Sequence, residues 1–251
     1  MRSPRAALEL LVARHSGRLP PLEVVAPERA LGAMPDDVEP GRSHRRRSLQ
    51  ARVDQATRAA RLDGAAKIVR VATRANPRGS GALGLNLPAG CHRLAVLADD
   101  SVGGPPDGDR DLDAEVRRPG ASVAMRQDRS NAPDGRLSFC LGQTERIELR
   151  FLGAGGPVDV AVLDAAWPLP RAALLTTDPR ARGALAWALF RRRVPEVTEP
   201  PLLVARGGPG ATQLPVPVEP GACYLAAMAL VRGSAGAARL SAAVDNRIVR
   251  D

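Results

Sequence analysis

The residues with the clearest chemical potential are acidic. Asp99-Asp100 is followed by Asp107-Gly-Asp109-Arg-Asp111-Leu-Asp113. Alternating carboxylates crowd one face of an extended segment, and Ca²⁺ takes about six to eight oxygen ligands of this kind. The stretch departs from an EF-hand loop, because Leu112 stands at the glycine position and Arg118 where the bidentate glutamate belongs. The alternative is a solvated loop whose charge Arg110, Arg117 and Arg118 partly offset.

Three cysteines occur, with no Cys-x-x-Cys spacing. Cys91 opens one predicted strand and Cys140 closes another. If the fold brings these strands together, they form either a disulfide, worth about 4 kcal/mol in an oxidising compartment, or two buried thiols acting as small hydrophobes. Cys223 lacks such a partner and is expected to be a free thiol.

His15, His44 and His92 lie in unrelated contexts with no metal partner at helical or turn spacing. A packing or surface role is expected for each. The chain contains no Gly-x-Ser-x-Gly elbow, no His-Glu-x-x-His helix and no Gly-x-x-x-x-Gly-Lys-[Ser/Thr] loop. A hydrolytic nucleophile, a zinc protease site and a P-loop therefore lack their usual basis, and a non-catalytic protein is expected. Arg42, Arg45, Arg46 and Arg47 form a basic cluster able to contact phosphate or an anionic surface; the alternative is a solvated linker.

Short strands dominate the elements that would hold these residues. Leu83, Leu85 and Leu87 alternate with small or polar residues, as do Ile147, Leu149 and Phe151, which places each set on one sheet face. Turn clusters such as Asn76-Pro-Arg-Gly-Ser80 and Ala132-Pro-Asp-Gly135 separate the runs. The expected fold is mainly β, a sandwich or jelly-roll-like repeat with short connecting helices. Ser48 caps a predicted helix over 49–62, with Gly64 as its stop, and Asp178-Pro179 starts another that ends near Arg191-Arg-Arg193.

An internal repeat is also visible. Leu83-Gly-Leu-Asn-Leu87-Pro-Ala-Gly-Cys91 resembles Leu214-Pro-Val-Pro-Val218-Glu-Pro-Gly-Ala-Cys223. Leu8 to Val12 and Leu22 to Val25 resemble Ile147 to Phe151 and Val158 to Val162. The organisation read from this is a repeat tail over 1–30, a basic linker with a helix over 31–66, and a complete sandwich over 67–170. A linker helix follows over 171–200. The opening of a further repeat, over 201–251, is expected to pack with 1–30.

The central repeat resembles bacterial pre-peptidase C-terminal modules. The matching residues are Leu87-Pro-Ala-Gly-Cys91 before a strand, Asp111-Leu-Asp113 opening one, Asp128 after it, and Leu137-Ser-Phe-Cys140 followed by Ile147-Glu-Leu-Arg-Phe151. The resemblance covers about 80–167. Gly90-Cys91-His92 departs from it, because family members usually carry an aromatic after that glycine. It implies a non-catalytic jelly-roll-like module of a secreted protein, with Asp111, Asp113 and Asp128 as calcium ligands.

Composition sets the remaining bounds. Net charge is +9, and Lys67 is the only lysine among 36 basic residues, a skew that first reflects a GC-rich genome. Aromatics make up 2%, which leaves few rings to stack on bases and argues against nucleic acid as the main partner. No run approaches the roughly 18 apolar residues of a membrane span, and the first fifteen residues are too polar for a signal peptide. Expected partners are a protein or glycan surface, or neighbouring repeats. The expected location, by the resemblance, is the cell envelope or outside.

Overall fold

The computed structural model describes residues 7–15, 48–99, 111–191, 201–208, 210–232, 240–244 and 247–250. The chain is mainly β and divides into two compact units, Val25–Pro168, and Met1–Val24 together with Leu169–Asp251. Strand β1, Ala7–His15, belongs to the second of these.

The Val25–Pro168 unit opens with helix α1, Leu49–Leu62. Ser48 caps it by accepting the Ala51 N–H at 3.2 Å, as its sequence predicts. At the other end Gly64 adopts φ 77°. The Gly64 N–H then reaches the Arg61 carbonyl at 3.0 Å and the Ala65 N–H the Ala60 carbonyl at 2.9 Å, the bond pair of a Schellman stop.

Eight strands follow: β2 Lys67–Arg74, β3 Gly81–Leu87, β4 Gly90–Ala98, β5 Asp113–Arg117, β6 Arg126–Asp128, β7 Gly135–Leu141, β8 Glu145–Leu152 and β9 Asp159–Trp167. They form two antiparallel four-stranded sheets, ordered β2-β9-β4-β7 and β3-β8-β5-β6. This is the expected β-sandwich. Leu94, Val96 and Val162 from the first sheet meet Leu85, Ile147 and Leu149 from the second in one core.

Burial pattern follows position in the sandwich. Strand β8 alternates, with Ile147, Leu149 and Phe151 buried and Arg146, Arg150 and Leu152 exposed, because its second face meets water. Strand β9 is buried almost throughout, from Val160 to Ala165. Its other face is covered by α1, where Val53 packs on Leu97 and Ala161.

In the second unit, helix α2, Arg171–Leu174, precedes helix α3, Pro179–Arg191. Asp178 starts α3 by accepting the Ala181 N–H at 2.9 Å. Strand β1 lies between β10, Pro201–Gly207, and β11, Cys223–Arg232, antiparallel to both. Among the described residues, strands β12, Ser241–Val244, and β13, Arg247–Arg250, pair only with each other. The segment Leu214 to Val218, matched in sequence to β3, forms no strand. Pro215 and Pro217 remove two ladder donors from it, and Leu214 and Val218 remain exposed.

Candidate functional site

His92 is the one described side chain with the elements of a proton-transfer group. It projects from β4 into the sandwich and is fully buried. Its Nδ1 lies 3.0 Å from Asp164 Oδ1 and 3.3 Å from Oδ2, and Asp164 projects from the neighbouring strand β9. Its Nε2 donates to the Pro88 carbonyl at 3.0 Å. The cross-strand partner Phe139 stacks on the ring at 5.7 Å between centroids.

Donor and acceptor counting fixes what this group does. A carbonyl only accepts, so Nε2 donates to Pro88, and Nδ1 lies within hydrogen-bond distance of the Asp164 carboxylate. Both ring nitrogens are thereby engaged. A general base needs one nitrogen facing a substrate, and here the outward nitrogen is closed by the chain's own carbonyl. The pair is a buried polar tie between β4, β9 and the β3–β4 turn.

The acidic residues lie at one corner of the second sheet. Asp111 immediately precedes β5, Asp113 begins it, and Asp128 ends β6, where it pairs with Ala114. The Asp111 side chain is exposed, and slight desolvation, then the charges of Asp113 and Asp128, push its carboxyl above the ordinary range. Asp128 is committed elsewhere. Its Oδ1 accepts the Ser130 N–H at 3.0 Å and its Oδ2 the Arg136 N–H at 2.5 Å. Asp113 lies 3.8 Å from the Arg129 guanidinium. Among the described residues, no group of three or more histidines, cysteines or carboxylates has metal-holding geometry. Asp107 and Asp109 lie outside the described residues.

Gly153 borders this corner at φ 97°, where a Cβ would run into the Asp111 carbonyl oxygen. The backbone that positions Asp111 therefore depends on glycine.

Cys91 and Cys140 face each other across the β4–β7 ladder and are joined by a disulfide. Cys223 is free and exposed. Arg42, Arg45, Arg46 and Arg47 lie outside the described residues. Two of the described arginines serve as struts. Arg52, 4% exposed, ties α1 to Asp134 and to the Ala98 carbonyl. Arg93 bonds Asp63 at 2.7 Å and lies over the Trp167 ring, whose Nε1 donates to the Asp63 carbonyl at 3.0 Å. Small crevices accompany this framework. One of about 300 Å³ lies over β3 and β8 between Gly84, Pro119 and Arg146, and one of about 80 Å³ lies between α1 and β4.

Sequence reasoning missed the His92–Asp164 tie. A signal was present, because Asp164 interrupts the apolar run Val160-Ala-Val-Leu-Asp-Ala-Ala166, and a buried carboxylate demands a hydrogen-bonded partner.

No family model matches the chain. It is similar to a protein named AMB antimetabolite synthetase AmbB from Pseudomonas aeruginosa, with 34% identity over 134 residues. The match takes in 51% of this chain, which spans 11% of that protein's length.

Proposed function

We propose that this chain is a non-catalytic β-sandwich module of an envelope or extracellular protein, acting through contacts with a protein or glycan surface or with neighbouring repeats. The observation that carries the reading is the closure of His92. The one described histidine with a carboxylate partner has its second nitrogen on the Pro88 carbonyl and no exposed surface. Arg52 and Arg93 likewise hold the fold together. The Cys91–Cys140 disulfide supports an oxidising location, since such bonds persist outside the reducing cytosol. Calcium at Asp111, Asp113 and Asp128 belongs to the same proposal.

The 34% identity to a protein named as a synthetase favours a second reading, in which this fold is an accessory part of a much larger synthetase. Two measurements on the protein isolated from its own cells separate the two. Differential alkylation should recover Cys91 joined to Cys140, and the chain alone should consume no ATP in ligation assays over a panel of carboxylic and amino acids. Free thiols at both positions would remove the envelope location. ATP-dependent turnover by the chain alone would end the non-catalytic reading.

A further inference from the structure

Strands β2, β7, β3 and β6 form the edges of the two sandwich sheets, and all but β3 are guarded. Strand β2 carries Lys67, Arg70 and Arg74, β7 carries Arg136, and β6 is only three residues long. Charge and shortness are common devices that keep an open edge from pairing with another chain. Strand β3, Gly81-Ala-Leu-Gly-Leu-Asn-Leu87, has neither, with seven residues, no charged side chain and no proline. It pairs with β8 on one side and, among the described residues, with no strand on the other. Every second residue of such an antiparallel strand turns its N–H and C=O away from the ladder, toward the open edge.

The outer face beside this edge has room for a neighbour. Ala82, Gly84 and Asn86 are exposed, while Leu85 and Leu87 are buried in the core. Gly84 sits mid-strand without a positive φ, and a Cβ there would meet only the Arg146 side chain, at 3.5 Å. Neither backbone conformation nor internal packing calls for glycine, and a mid-strand glycine lets another backbone approach closely. The crevice of about 300 Å³ opens at this point, between Ala82, Gly84, Pro119, Arg146 and Glu148.

Charge selects the kind of chain that fits. Neighbouring arginines are each matched to a glutamate: Arg150 to Glu148 at 2.9 Å, Arg117 to Glu115 at 2.8 Å, and Arg118 to Glu145 at 2.8 Å. Arg146 is exposed on β8 and, among the described residues, has no hydrogen bond or ion pair. It is paired across the ladder with Asn86, and its guanidinium lies diagonally over Gly84, on the side of the open edge. A carboxylate carried on a strand laid along β3 would meet it there in a charge-assisted hydrogen bond.

We infer that the open edge of β3 is a docking site for an extended segment of another protein, which adds to the sheet as a strand and sets an acidic side chain on Arg146 above Gly84. Main-chain hydrogen bonds along β3 hold the segment, and Arg146 selects its charge. The inference rests on the reading of the chain as a contact module and names the edge used and the partner's chemistry. A second copy of the chain is a poorer fit, because its own β3 brings no carboxylate and a further Arg146.

The test uses the full-length chain and a displayed library of random peptides of β3's own seven-residue length. Selection on the wild type should enrich an acidic residue at one fixed place in the peptides. The Kd of a selected peptide should weaken about tenfold against Arg146→Glu, since attraction across an exposed pair becomes repulsion. Selection on Arg146→Glu itself should enrich lysine or arginine at that same place, which a misfolded variant would not do. Hydrogen exchange with the wild-type peptide bound should slow across Gly81–Leu87 and be unchanged across Arg126–Asp128 and Gly135–Leu141. No enrichment, enrichment without an acidic position, a Kd indifferent to Arg146→Glu, or protection at another edge overturns the proposal. Protection of β3 that rises with the concentration of the chain alone, and that the peptide does not change, gives the edge to a second copy and overturns it too. ATP turnover and the state of Cys91 and Cys140 test the proposed function separately, so the two can fail independently.

Discussion

His92 and Asp164 are tied side chain to side chain inside the sandwich, 3.0 Å apart, with the imidazole wholly out of contact with water. Removing one member strands the other in an apolar core. Leaving a buried hydrogen-bonding group without its partner this way destabilises by roughly 1–3 kcal/mol, whereas replacing both partners by apolar groups is often close to neutral. Asp164→Ala should therefore lower the urea midpoint sharply, and His92→Phe with Asp164→Leu should recover much of the loss. A double variant as unstable as the sum of its single variants would show that the pair is not acting as a unit.

Asp111 gives a prediction with a definite sign. Its carboxyl is held above the ordinary range by slight desolvation and by Asp113 and Asp128. The folded protein thus binds this proton more tightly than the unfolded chain does. Stability falls as pH rises past the unfolded aspartate value of about 3.9, and the penalty is fully present at neutral pH. Asp111→Asn should raise Tm at pH about 7, with the gain shrinking as pH falls through the raised folded-state value and gone below about 3.9. The same melts with added calcium test the ion. A calcium-dependent rise that disappears in Asp111→Asn would assign it, and an unchanged Tm in the wild type would leave these carboxylates as a solvated corner.

The disulfide closes a span of 49 residues, which in the chain-entropy model corresponds to about 4 kcal/mol. Cys91→Ala with Cys140→Ala should lower stability by an amount of that order. Reductant should lower the Tm of the wild type and leave that of the double variant unchanged. Equal melting of the wild type with and without reductant would show that the staple contributes nothing.

The sandwich was legible because periodicity and turn chemistry are local. Ile147, Leu149 and Phe151 announce a one-faced strand, and Ser48 and Gly64 mark both ends of α1. Ionic and polar ties were less visible, since they join distant positions. Arg52 reaches Asp134 across 82 residues and His92 reaches Asp164 across 72. Nothing near Arg52 in sequence distinguishes it from Arg58 or Arg61 on the same helix. The segment Leu214 to Val218 shares the Leu-x-Val-x-Val alternation of a strand, yet Pro215 and Pro217 remove its backbone donors and it forms none.

The place of β1 leads to the last prediction. Strand β1 is central in its three-stranded sheet, so β10 and β11 each pair through it and, among the described residues, not with each other. Val12 is buried at 6% exposure and is paired with Leu203 on one side and Ala226 on the other. A charge placed there has no counter-ion among those neighbours and costs several kcal/mol if it stays buried. The cheaper response is for β1 to leave, exposing the inner edges of both β10 and β11. Val12→Asp should accordingly raise amide hydrogen exchange across Pro201–Gly207 and Cys223–Arg232. Exchange across Gly81–Leu87 and Gly90–Ala98 should be unchanged, because those strands are held by β8 and by β7 and β9. Val12→Ile keeps the apolar character and should leave both regions protected, which separates loss of the strand from a general effect of substitution. Protection in β10 and β11 that survives Val12→Asp would mean that the sheet does not depend on β1.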